Sequence, residues 1–96
     1  MESIIQTSKE CFLCGKNGMF DSLESHHVFG GANRKHSEKY GLKVWLCGNS
    51  CHRNGIYSVH RNRAVSDQVK AVAQAKWEET YGSREEFLQI FGRNYL

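Results

Sequence analysis

The sequence predicts a small α+β domain in which two β-strands and a short helix are followed by further helices. Two short segments, residues 23–29 and 42–46, contain the Val, Phe and Trp residues typical of strands and are bounded by turn residues. After residue 64, apolar residues recur at helical spacing. A chain of 96 residues has room for one domain. We therefore expect residues 1–96 to form one unit, with its core at about 11–60 and its C-terminal helices at about 64–92.

The composition is that of an ordinary globular protein rather than of a disordered chain. Hydrophobic residues make up 40% and charged residues 24% of the sequence. The first residues lack the basic and apolar regions of a signal peptide. No apolar run approaches the roughly 18 residues that a membrane span requires. We therefore expect a cytoplasmic protein without a membrane partner, in a compartment where thiols stay reduced.

The four cysteines fall into two close pairs, Cys11 with Cys14 and Cys47 with Cys51. In a reducing compartment this pattern favours a zinc site over disulfides. Zinc takes four ligands in a tetrahedron, with sulfur at about 2.3 Å. The second pair is one residue wider than the usual spacing, and four buried free thiols are the alternative. A redox role for the first pair would leave the second pair unexplained. The sequence thus predicts a structural zinc ion bound by all four thiols.

The histidines lie next to these cysteines in the sequence. Side chains alternate along a strand, so His26 would share one face with Glu24 and Val28, whereas His27 would lie on the opposite face. Residues 30–41 read as a long polar loop with at most one helical turn. The segment after Cys47 predicts a short helix, with Asn49 or Ser50 as its N-cap. Gly55 is expected to end or bend that helix.

The last third of the chain predicts two helices. Ser66 is the expected cap of the longer one, which would run to about Tyr81. The following Ser83-Arg84-Glu85-Glu86 matches a capping box, and the last helix would end near Gly92. The residues expected to pack inward from the two helices are Val65, Val69, Val72, Ala73, Trp77, Phe87, Leu88 and Phe91.

The net charge of +3 conceals a concentration of positive charge in the middle of the chain. Residues 30–63 contain seven basic side chains and one acidic side chain, whereas the segments on either side are weakly acidic. A basic segment that also carries histidines suits a polyanion such as nucleic acid, although a solvated surface of lysines is the plainer reading. The candidate phosphate contacts are Arg34, Lys35, Arg53, Arg61 and Arg63.

The order of these motifs resembles the HNH endonucleases of the His-Me finger, or ββα-metal, group. A Cys-x2-Cys pair, a doublet ending in His before a β-branched residue, and a strand leading into Cys-x3-Cys-His cover residues 11–53. His-His-Val-Phe-Gly-Gly, Glu-Lys-Tyr-Gly-Leu, Cys-His-Arg and the closing Phe-Gly-Arg-Asn-Tyr-Leu look like small phage-encoded members. The resemblance implies a zinc-stapled ββα-metal hairpin-plus-helix core that carries additional C-terminal helices.

The resemblance also implies roles for individual residues. His27 would be the general base, and His26 and His52 would bind a catalytic divalent ion such as Mg²⁺, Mn²⁺, Ni²⁺ or Zn²⁺. DNA would be cleaved to 5′-phosphate and 3′-hydroxyl ends. His60 could be a third ligand only if the chain turns back at Gly55, because an unbroken helix would separate it from His52 by about 12 Å.

One position departs from the family pattern. The middle asparagine, which usually begins the second strand, is replaced in the segment Tyr40-Gly41-Leu42. Asn33 or Tyr40 could take over its bracing role. The alternative is a catalytically inactive zinc module that binds nucleic acid or a protein partner, for example as a phage inhibitor of a host defence nuclease. A homodimer is also compatible with the sequence.

Overall fold

The computed structural model describes all 96 residues and has the α+β architecture predicted from the sequence. Its only sheet consists of two antiparallel strands, and three α-helices surround it. A single π-helical turn, Gly48–Arg53, follows the second strand and is called the knuckle helix below. The elements in chain order are β1 Leu23–His27, α1 Arg34–Tyr40, β2 Lys43–Cys47, the knuckle helix, α2 Arg63–Thr80 and α3 Arg84–Phe91.

The register of the hairpin fixes which residues of the two strands are neighbours. Leu23 lies opposite Cys47, and His27 lies opposite Lys43. Residues 28 and 29, which the sequence placed on the strand, leave it and enter the core with 1% and 2% exposure. The hydroxyl of Ser37 accepts from the Phe29 N–H and donates to the Phe29 carbonyl, so α1 takes over the pairing that a longer strand would provide.

The loop expected at residues 30–41 is more ordered than predicted. Seven of its residues, Arg34–Tyr40, form α1, which ends on Gly41 with a φ of +71°. A glycine suits this left-handed position because it has no Cβ. A side chain there would also collide with the carbonyl oxygen of Glu2, so the N-terminal segment packs closely over the end of α1.

The predicted cap of the knuckle helix is wrong. Neither Asn49 nor Ser50 caps it with its own side chain; instead the Asp21 carboxylate accepts hydrogen bonds from both backbone N–H groups, at 2.9 and 2.8 Å. The Ser50 hydroxyl donates to the same carboxylate. These bonds lower the pKa of Asp21 below its ordinary value, since they favour the charged form. The cap thus comes from a residue that precedes β1.

The longer C-terminal helix begins earlier than predicted. Asn62, not Ser66, is its N-cap, and the Asn62 side chain accepts from the Val65 N–H at 3.1 Å. Val69, Ala73 and Trp77 are buried as expected, but Val72 is 46% exposed. Val72 lies off the line that these three residues form along the helix and therefore faces solvent.

The capping box of α3 is confirmed, with Ser83 and Glu86 bonded reciprocally and the helix ending at Gly92. Phe87 and Phe91 stack with ring centroids 4.4 Å apart, whereas Leu88 is 38% exposed and does not join the core. Phe29 contacts both of these phenylalanines, so the hairpin end and α3 share one aromatic cluster. No helix combines the length and apolar character needed to cross a bilayer.

We expect Ser37→Ala to destabilise the protein by about 1–3 kcal/mol, because it leaves the buried backbone groups of Phe29 without a partner. Urea unfolding of the variant and the wild type measures this difference. Ser58→Ala is a matched control: Ser58 is also fully buried, but its hydroxyl has no hydrogen-bond partner, so the change should cost little. Equal destabilisation by the two variants would contradict the bridging role of Ser37.

Candidate functional site

The four cysteines form one cluster. All four sulfur atoms lie within 4.8 Å of one another, and the Sγ atoms of Cys14 and Cys47 are 3.5 Å apart. A tetrahedron with zinc–sulfur distances of about 2.3 Å has edges of about 3.8 Å. The spacing therefore fits a structural metal such as zinc, as the sequence predicted, and no pair forms a disulfide.

Three elements bring these thiols together. Cys11 and Cys14 lie in a tight turn, closed by a hydrogen bond from the Gly15 N–H to the Cys11 carbonyl at 2.8 Å. The Phe12 N–H donates to the Trp45 carbonyl and thereby attaches this turn to β2. Cys47 ends β2, and Cys51 lies in the knuckle helix. The Cys47 N–H also donates to the Cys11 sulfur at 3.4 Å.

The thiols differ in how readily they ionise. Burial alone would raise the pKa of Cys11, but backbone N–H groups at Cys14, Cys47 and Leu13 outweigh it and lower this pKa to about 7. Burial, and then the neighbouring thiols, raise the pKa of Cys47 to about 11 and that of Cys51 to about 12. Four thiolates this close repel one another, so a bound cation is what would allow all four to ionise together.

A second cluster consists of three imidazoles. A ring nitrogen from each of His26, His52 and His60 lies within 4.8 Å of the others. His26 lies on β1 and His52 on the knuckle helix, with ring centroids 5.0 Å apart. The chain turns back at Gly55, so that the His60 N–H donates to the His52 carbonyl at 3.2 Å. This turn brings the rings of His52 and His60 to 4.7 Å.

Two of these imidazoles, those of His26 and His60, have lowered pKa values that favour the neutral form that binds metal ions. Burial, followed by the charges of His52 and His60, lowers the pKa of His26 from 6.5 to about 3. Burial and His52 also lower the pKa of His60. A neutral imidazole has one nitrogen lone pair free for an ion. The three side chains therefore fit a transition-metal or zinc site better than a purely carboxylate-bound ion such as calcium.

The sequence prediction missed the role of Glu24. Its Oε1 atom lies 2.8 Å from His52 Nδ1, and its Oε2 atom accepts from Arg53 at 2.6 Å. A proton on Nδ1 that points at this carboxylate leaves Nε2 free, which is the common arrangement around histidine ligands. The signal was present, because alternation along β1 places Glu24 and His26 on the same face.

His27 projects from the other face of β1 and has a different partner. Its Nε2 atom lies 3.5 Å from Glu38 Oε1, while Lys43 Nζ lies 2.8 Å from Glu38 Oε2. The Lys43 ammonium, followed by the N-terminal amine, lowers the pKa of Glu38 to about 2 and keeps it charged. Neither suggested substitute for the missing asparagine braces His27. Asn33 donates to the Phe91 carbonyl, and Tyr40 packs among aromatic rings.

The four histidines His26, His27, His52 and His60 line one pocket of about 490 Å³, here called the histidine pocket. Of the predicted phosphate contacts, Arg34 alone lines it. Arg53 pairs with Glu24, Arg63 lies 3.9 Å from Asp67, and Arg61 donates to the Asn54 carbonyl. Lys35 is exposed on α1, outside the pocket lining. Ser66 and Lys70 of α2 also line the pocket, and neither was predicted to be a site residue.

Comparison of the chain with models of protein families, with curated proteins and with solved structures finds no match.

We expect the purified protein to contain zinc on its four cysteines, and Cys47→Ser to lose it. Structural zinc sites contribute about 10 kcal/mol or more to folding, comparable to the whole stability of a small domain. The variant should therefore lose its cooperative thermal transition, as measured by circular dichroism beside metal analysis. His60→Ala is the control and should keep this zinc. A metal-free wild-type protein with an unchanged transition would refute the assignment.

Gly55→Ala should weaken metal binding at the three histidines. A Cβ at residue 55 would collide with the Ser50 carbonyl oxygen, so the turn that returns His60 to His52 must open. Calorimetric titration with Ni²⁺ or Zn²⁺ should show at least a tenfold loss of affinity at this site. Gly30→Ala is a matched control, because a Cβ there meets no heavy atom within 4 Å although Gly30 lines the same pocket. Equal affinities in the two variants would contradict this prediction.

Proposed function

We propose that the protein is a metal-dependent endonuclease of the HNH type that hydrolyses phosphodiester bonds in DNA. One observation carries the proposal: three ligand-competent imidazoles and a fourth histidine from the opposite strand face line the same basic pocket. The Cys-x2-Cys, His-His and Cys-x3-Cys-His motifs that resemble this group supply all four thiols and two of the three clustered imidazoles, His60 being the exception. The proposed ββα-metal core consists of β1, β2 and the knuckle helix.

His26, His52 and His60 are the residues proposed to hold the divalent ion. Such an ion, whether Mg²⁺, Mn²⁺, Ni²⁺ or Zn²⁺, would neutralise developing charge on the phosphate and on the leaving 3′ oxygen. Glu24 would orient His52 through Nδ1 and so keep its Nε2 directed into the pocket. An all-imidazole ligand set favours Ni²⁺ or Zn²⁺ over Mg²⁺, which prefers oxygen ligands.

His27 is proposed to remove the proton of the attacking water. A proton on Nε2 would point at the Glu38 carboxylate, leaving Nδ1 as the acceptor for the water proton. The position of His27 suits this role, because its neighbour His26 is committed to the imidazole cluster while His27 itself is free of it. Glu38 would then stabilise the imidazolium that forms, in place of the bracing asparagine of the family.

The chemistry of the pocket favours a polyanion as substrate. None of the residues that line it is acidic, and Glu24 and Glu38, the carboxylates that pair with its histidines, are each also bound to a cation. A divalent ion held by the imidazoles would add its charge to that of the cations in the lining, which would attract a phosphodiester. Reduced thiols in a zinc cluster agree with action in the cytoplasm, including that of a host cell.

The absence of the family's asparagine supports a second function. Because neither Asn33 nor Tyr40 contacts His27, the fold could serve as an HNH-like zinc module without catalysis. Such a module would bind nucleic acid or a protein partner, including a second copy of the chain. It would need the thiol-bound zinc but not His27.

Plasmid nicking separates the two functions. In the presence of Mg²⁺, Mn²⁺, Ni²⁺ or Zn²⁺ we expect the wild type to nick DNA, and His27→Ala to slow nicking by about 10²–10⁴-fold, the usual contribution of a general base. His36→Ala is the control, because His36 packs on Phe91 outside the pocket lining. Circular dichroism and zinc content should be unchanged in both variants. Absence of nicking by the wild type with every metal would leave the binding module as the function.

A further inference from the structure

The wall of the histidine pocket that faces the metal-binding imidazoles is formed by α2. Ser66 and Lys70 lie one helical turn apart on this helix, so both side chains lie on one face, and both line the pocket. Lys70 lies close enough to His26 for its charge to act on that ring, after burial and the three other histidines. The basic segment recognised in the sequence ends at residue 63, so charge counting alone did not single out this lysine.

Lys70 has no acidic partner. None of the ion pairs in the structure involves Lys70 or Arg34, although most of the other cations near the site are paired. Lys43 is bound to Glu38, Arg53 to Glu24, and Arg63 to Asp67. Lys70 is a half-buried residue that lines a pocket with imidazoles and has no carboxylate partner, so an anionic ligand in the pocket would balance its charge.

The position of Lys70 is set by packing rather than by an ion pair. Its Nζ lies 5.5 Å from the centroid of the Tyr95 ring, within the range of a cation–π contact. The Tyr95 N–H in turn donates to the side chain of Gln74, which is fully buried one turn further along α2. The Tyr95 ring also packs on Phe29. These contacts place the ammonium beside the Tyr95 ring, and it donates no hydrogen bond within the protein, so its N–H groups are free for a ligand.

We propose that Lys70 is a substrate-binding residue that contacts a phosphate of the nucleic acid in the histidine pocket, whose lining also contains Arg34. This inference rests on the proposed function, because Lys70 would be the second cation, in addition to Arg34, that binds the DNA strand. The three ammonium protons suit a non-bridging phosphate oxygen, and the contact needs no particular base. Ser66, one turn before Lys70, is placed to donate to the same phosphate or to its neighbour.

Binding of a fluorescent DNA duplex at several salt concentrations tests this contact. All variants are made in the full-length zinc-loaded protein that carries His27→Ala, so that the DNA stays intact. Lys70→Met keeps the apolar stem against Tyr95 but removes the charge, and Lys70→Arg keeps the charge. Lys76→Met is the matched control, because it removes the same charge from the same helix at a lysine that is paired with Glu79.

The loss of one phosphate contact should reduce the slope of log K against log salt by about 0.9, which corresponds to about eightfold weaker binding at about 0.1 M salt. We expect this for Lys70→Met, whereas Lys70→Arg and Lys76→Met should retain the parent slope. An unchanged slope in Lys70→Met, or an equal fall in Lys76→Met, overturns the inference. Thermal unfolding of each variant shows whether the fold is kept; if Lys70→Met unfolds, Lys70→Gln also removes the charge and should show the same reduction in slope, and an unchanged slope in it would overturn the inference.

The two proposals can fail separately. Nicking by the wild type together with an unchanged slope in Lys70→Met would overturn the inference and leave the nuclease in place. A reduced slope in Lys70→Met together with no nicking by the wild type would support Lys70 as a nucleic-acid contact and refute the nuclease. Absence of any DNA binding by the His27→Ala parent overturns the role of Lys70.

Discussion

The convergence of four thiols on one point is the constraint on which the rest of the structure depends. A turn near the N-terminus, the end of β2 and the knuckle helix all meet at these sulfur atoms. In the absence of a cation, burial and neighbouring thiols push the pKa of Cys47 and Cys51 far above neutrality. A zinc ion would allow all four thiols to ionise and would form four bonds to sulfur. These bonds would hold three chain segments at one point. A domain of 96 residues has a small core, so a zinc site of this kind would supply a large part of its free energy of unfolding.

The thiol cluster and the histidine cluster share their scaffold. His52 follows Cys51 directly, and His26 lies on the strand that pairs with the one ending in Cys47. Backbone hydrogen bonds from Val59 and His60 to the carbonyls of Cys51 and His52 then return the chain to the same place. Any displacement of the knuckle helix would therefore move two of the three clustered imidazoles. A zinc ion at the thiols would be structural, but it would help to set the geometry of the site where chemistry is proposed to occur.

The C-terminal helices complete the pocket from the opposite side. Phe29, Phe87 and Phe91 form an aromatic cluster that joins the end of β1 to α3, and Trp77 of α2 packs on the same rings. This cluster positions α2 so that Ser66 and Lys70 face the histidines. The helices thus contribute part of the pocket lining as well as core. The pocket that results is lined by two cations, Arg34 and Lys70, and by four histidines, with no carboxylate in its lining.

Features that depend on neighbouring residues could be predicted from the sequence. Alternation along β1 separated His26 from His27, the cysteine spacing indicated a common cluster, and the Ser83 capping box marked the start of α3. Where two local signals competed, the prediction was wrong: both Asn62 and Ser66 can cap a helix, and the chain uses Asn62. Similarly, Val72 fits the helical repeat of apolar residues but lies outside the buried row formed by Val69, Ala73 and Trp77, and is exposed.

The sequence by itself determined the ligand types, the α+β class and the alternation that gives the two adjacent histidines different surroundings, because these follow from chemistry and from the repeat of a strand or helix. Only the tertiary structure decided that Asp21 caps the knuckle helix, that Glu24 holds His52, that His60 returns to the site and that Lys70 enters the pocket. Each of these contacts joins segments whose approach is set by a turn or by packing. Local sequence patterns do not show which distant side chains such contacts will bring together.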